Sequence, residues 1–106
     1  MATWSPITVS QVEQLLRDEL LSCSAEEREV YERIRIPLRS VSILRVGKIE
    51  SVFAVGERDG YLLIFEDVEQ GFEWCQADAD GIIRSYACSQ DGLQARLYEL
   101  LHHDRT

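Results

Sequence analysis

Acid–base chemistry would need convergent carboxylates, and the chain offers two close sets. Glu66 and Asp67 are adjacent, and Asp78 and Asp80 flank an alanine before Gly81. Adjacent residues on a strand point to opposite faces, so Glu66 and Asp67 would not converge there. Asp78-Ala79-Asp80-Gly81 resembles part of a calcium-binding loop. However, Gln76 occupies the first ligand position and Ala87 the last, where a bidentate glutamate is required. A turn between strands explains Asp80-Gly81 better. His102 and His103 are the only histidines, and of the other ligand types only Asp104 adjoins them. Cys23, Cys75 and Cys88 form no C-x-x-C pair, and no histidine lies near them in sequence to serve as a base. Glycine-rich phosphate loops, G-x-S-x-G and H-E-x-x-H do not occur. No catalytic residue, metal site or cofactor is expected.

The charges are distributed unevenly. From Asp59 to Ile83 there is no cation, while Asp59, Glu66, Asp67, Glu69, Glu73, Asp78 and Asp80 are acids. From Arg33 to Lys48 the pattern reverses, with Arg33, Arg35, Arg39, Arg45 and Lys48 and no acid. Phe72 and Trp74 alternate with Glu73, which places aromatic anchors beside charge, the mixture that makes binding hot spots. Glu66, Asp67, Glu69, Phe72, Glu73, Trp74, Asp78 and Asp80 are therefore the candidate docking residues for a basic protein partner. The alternative is that the arginines neutralise this window within the chain. A net charge of −8 over 106 residues argues against nucleic acid as the partner.

These residues must be positioned by a single domain, since the length suits one core without metal or disulfides. The first and last few residues, 1–7 and 103–106, are expected to be loose. Thr8 and Gln11 form a capping box, Ile7 can staple onto Val12, and apolar residues recur at helical spacing from Val9 to Ser22. Ser24 and Glu27 start a second helix over residues 25–34, before Pro37. The period then changes to two. Strands are expected at Arg39–Val46, Ile49–Val55, Tyr61–Phe65, Phe72–Gln76 and Ile82–Cys88. Gly47-Lys48 suits a type II′ turn, and Asp59-Gly60 is a strong hairpin signal. Ser89 can cap a last helix from Gln90 to His102. The expected fold is α+β, with a five-stranded antiparallel meander sheet, two N-terminal helices and one C-terminal helix.

With two-residue loops, one sheet face would carry Leu44, Val46, Ile49, Phe53, Val55, Leu62 and Ile64. The other would carry Val41, Ile43, Val52, Ala54, Tyr61, Leu63 and Phe65. Both faces are apolar, so either helices cover both or one meets another protein, a homodimer included. Met1–Pro6 lacks the basic start and apolar run of a signal peptide, and no apolar stretch approaches a membrane span. A cytoplasmic protein without membrane contact is expected.

The stretches Val52–Val55, Tyr61–Phe72 and Asp80–Ile83 together resemble small acidic bacterial proteins, some of them immunity proteins of polymorphic toxin systems. The resemblance covers residues 50–85 and contains no catalytic motif. It implies an acidic, single-domain, non-catalytic inhibitor that occludes a basic site. A structural or oligomerising module and a small enzyme of another kind are the other classes to weigh.

Overall fold

Two capping boxes start the helical half of the molecule. The computed structural model describes residues 7–67, 70–84 and 91–103. Helix α1 spans Val9–Leu21, with Thr8 Oγ1 accepting from the Gln11 N–H and Gln11 Oε1 accepting from the Thr8 N–H. Helix α2 spans Ala25–Ile34 and repeats the device with Ser24 and Glu27. The corner between them is held by Arg28, whose guanidinium donates to the carbonyls of Cys23 (2.7 Å) and Leu20 (3.2 Å).

The remaining elements are β1 Arg35–Arg45, β2 Lys48–Arg58, β3 Tyr61–Glu66, β4 Gly71–Cys75, β5 Ile82–Ile83 and α3 Leu93–His103. The fold is α+β, with a five-stranded sheet ordered β4-β3-β2-β1-β5. The expected antiparallel meander is corrected at β5. It leaves β4 and pairs parallel with β1, setting Ser42 opposite Ile82 and Ile43 opposite Ile83. The reason is closure. Ala77, two residues beyond β4, forms an antiparallel bridge with Ile83. The sheet therefore curls until its two edges meet, as an incomplete barrel, which satisfies edge groups that a flat meander would expose.

Curling also answers the question of two apolar faces. The helix-covered face packs Val55, Leu63, Phe65 and Phe72 against Val12, Leu16, Val30, Tyr31, Leu93 and Leu97. The inner face packs Ile43, Val52, Ala54, Leu62, Ile64, Cys75 and Ile83 against one another. No second protomer is needed to cover it. The expected grouping of Leu62 and Ile64 with Phe53 and Val55 is wrong because β2 has a bulge. Ala54 pairs with Ile64 and Gly56 with Leu63, so Val55 is an extra residue and β3 is turned over relative to β2. The Tyr31 hydroxyl donates to the Val55 carbonyl at 3.0 Å and satisfies this bulged position.

The first hairpin turn is shifted by one residue. Arg45 pairs with Lys48, so the loop is Val46-Gly47, with φ of 46° and 75°. Positive φ at both positions is the type I′ pattern, and a β-branched residue is strained there. Val46 is fully exposed, so its side chain gains nothing in return. Val46→Asn is expected to raise stability by about 1 kcal/mol and the melting temperature by roughly 4–8 °C, as read by thermal unfolding.

The cap of α3 also comes from elsewhere. The expected cap, Ser89, lies outside the described residues. The N–H of Leu93 donates instead to Glu19 Oε1 of α1 at 3.0 Å. A Cβ on Gly92 would lie 2.7 Å from that oxygen, so the contact needs glycine. Among the described residues, no helix is long and apolar enough to cross a membrane.

Candidate functional site

Alternation along the strands decides where the acids go. On β1, Val41, Ile43 and Arg45 share the inner face, as do Ile64 and Glu66 on β3. The last layer of the inner core is therefore ionic. Arg45 is 9% exposed and Glu66 1%. Arg45 Nη2 lies 2.5 Å from Glu66 Oε1 and 3.6 Å from Asp67 Oδ1, and Nη1 lies 2.8 Å from Glu50 Oε2. Three carboxylates thus converge, but on a guanidinium rather than on a pocket. Burial of Arg45 and Glu66 is tolerable only because these two opposite charges offset one another.

The other predicted residues are gathered by different arginines. Glu73 is buried opposite Ile64, with Oε2 3.9 Å from Arg96 Nη1 of α3. Arg96 also meets Asp91 at 2.6 Å and Glu99 at 3.3 Å. Asp78 and Asp80 are exposed and face Arg84 at 2.8 and 2.6 Å. Hydrogen bonds from Arg84 and from the Ile82 N–H hold the Asp80 carboxyl down to about 2. Gly81 N–H donates to the Asp78 carbonyl at 2.8 Å, so this segment is a tight turn leading into β5. Among the described residues no cluster of three or more potential ligands could hold a metal. Glu69 lies outside the described residues.

The acidic window is therefore split into groups around Arg45, Arg96 and Arg84. Of the basic run, Arg45 is the one that reaches the window among the described residues. Arg33, Arg35 and Arg39 face Glu29, Glu32 and Glu57 in exposed pairs of little energetic weight. The two aromatic residues also separate. Phe72 is 1% exposed, with its ring centroid 5.1 Å from that of Phe65. Trp74 is half-buried and lines an open cleft of about 230 Å³ with Tyr61, Leu100, Arg58 and Asp59. Tyr61, Arg58 and Asp59 come from the second hairpin turn and Leu100 from α3. Asp59-Gly60 reads in sequence as a turn and Asp59 as one acid of the window, and the same turn places Tyr61 and Arg58 beside Trp74 as well.

Cys23 and Cys75 are buried free thiols. Burial, reinforced by Glu73, pushes the Cys75 thiol up to about 12, and burial likewise raises that of Cys23. Cys75 is expected to resist iodoacetamide at pH 8.5 and to react only as fast as the chain unfolds, as read by mass spectrometry. The raised value also has a stability sign. The contribution is complete below the ordinary thiol value of 9.0 and is lost as pH rises from there towards 12, where the unfolded chain gains by releasing the proton. Cys88, considered above, lies outside the described residues. His102 is exposed at the end of α3, its ring 3.9 Å from that of Tyr98.

Compared with family models, curated proteins and solved structures, the chain matches none.

Proposed function

We propose that this chain is a non-catalytic protein-binding module, immunity-like in acting as a stoichiometric partner of a basic protein. The observation that supports this reading is the Trp74 cleft. Its Trp, Tyr and Arg composition is that of interface hot spots. An aliphatic stem lying across Trp74 and Tyr61 would bring a partner's ammonium or guanidinium head towards Asp59 at the rim, in competition with Arg58, whose Nε lies 3.4 Å from that carboxylate. The net charge of −8 would steer such a partner at long range. Of the eight docking residues expected from sequence, Trp74 fits this role best. Glu66, Phe72 and Glu73 are buried, and Asp78 and Asp80 already face an arginine.

Affinity capture from the native host, with the wild type and Trp74→Ala in parallel, tests the reading. The expected outcome is one basic protein held stoichiometrically by the wild type, lost at high salt and reduced at least tenfold by Trp74→Ala at unchanged circular dichroism. Identical eluates from the two proteins, or capture insensitive to salt, would sink it.

A further inference from the structure

A second surface has the geometry for a different kind of contact. β1 pairs with β2 along its length, but with β5 only at Ser42 and Ile43. Among the described residues no strand pairs with the outer edge of β1 from residue 35 to residue 41. The Arg45–Lys48 pair closes a two-residue loop, so alternation turns Arg39 and Val41 towards β2. The N–H and C=O groups of Ser40 then point outward. Pro37, which has no N–H, falls in the irregular stretch between Arg35 and Arg39.

A groove of about 480 Å³ runs beside this edge. Val9, Leu16 and Leu20 of α1 form one wall, and Ile36 and Leu38 of β1 the other. A sheet edge facing a helix across an apolar groove is the geometry in which an extended peptide adds as a further strand. Backbone groups supply the pairing, and alternate side chains enter the groove.

The charges at the groove select its occupant. Arg17 lines it, and its only side-chain partner among the described residues is the neutral Gln14. Arg35 also lines it, in one exposed ion pair with Glu32. Glu13 is the one acid in the lining. A second copy of the chain fits poorly, because two-fold pairing of β1 edges about Leu38 would set Arg39 of each copy diagonally across from the other copy's Arg35 and Arg39. We infer that the open edge of β1 and the groove under α1 bind an extended acidic peptide segment, added as a strand with an acid opposite Arg17. This inference stands apart from the Trp74 cleft and does not depend on it.

The test uses two capped nonapeptides, one alternating valine with aspartate and the other valine with lysine. Binding is followed by amide NMR shifts and hydrogen exchange on the full chain. The aspartate peptide is expected to shift the resonances of Leu38–Val41 and of the groove-facing part of α1, and to slow exchange at Ser40 at least tenfold. It should bind at least tenfold more tightly than the lysine peptide, and Arg17→Glu should reverse that preference. Arg17 is exposed, so the variant leaves the core intact. Equal binding of both peptides, or shifts mapping elsewhere, would overturn the inference. So would a Ser40 amide already protected in the free monomer, or a sedimenting dimer that buries the edge.

Discussion

Arg45→Ala is expected to destabilise the fold by about 3–5 kcal/mol, a large share of the roughly 5–15 kcal/mol that holds a domain of this kind together. The substitution removes the guanidinium facing Glu66, Asp67 and Glu50 and leaves a 1%-exposed carboxylate at the barrel mouth. The cost is that of a buried charge without its counter-ion, far more than the worth of a surface pair. Urea titration reads it as a lowered midpoint at unchanged slope. The double variant Arg45→Met/Glu66→Leu is expected to recover most of the loss, because apolar replacements suit the position above Ile43 and Ile64. A single-variant cost below about 1 kcal/mol would show that water reaches the cluster.

Phe72→Ala is the second large effect, at about 3–5 kcal/mol. Phe72 is buried between the sheet and the helices, against Phe65. Its removal opens a cavity at the centre of that layer. Trp74, two residues along the same strand, faces the same layer but is half-buried in an open cleft. Trp74→Ala is therefore expected to cost less stability than Phe72→Ala while weakening partner capture. The two substitutions separate a core aromatic from a binding aromatic that looked alike in sequence. Matching losses of stability in both would remove the distinction.

What could be read in advance was local. The capping boxes at Thr8 and Ser24 and the Asp59-Gly60 turn each complete their signal within a few residues. What could not be read was set at a distance. Val55 bulges where α2 packs on β2 and Tyr31 can take its carbonyl, and this one residue exchanges the faces of β3. The cap of α3 is a carboxylate from α1. Pairing of the arginines with the acidic window could be weighed from the sequence, but that Arg45 makes it follows from its alternation with Val41 and Ile43, which aims it inward. The division of the acidic window is long-range for the same reason. Counting acids along the chain does not reveal that Arg45 and Arg96 come from other elements to meet them.

The parallel pairing of β5 with β1 has a kinetic consequence. The hairpins β1–β2 and β2–β3 close loops of two residues, whereas β5 meets β1 only by joining residue 42 to residue 82. The entropy of closing that long loop exceeds that of a hairpin by roughly 2 kcal/mol, so this pairing belongs late in folding. Ile83→Ala is then expected to speed unfolding several-fold while leaving the refolding rate nearly unchanged, as stopped-flow fluorescence can show. A strand of two residues would govern how long the native state lasts, with little say in how quickly it is reached.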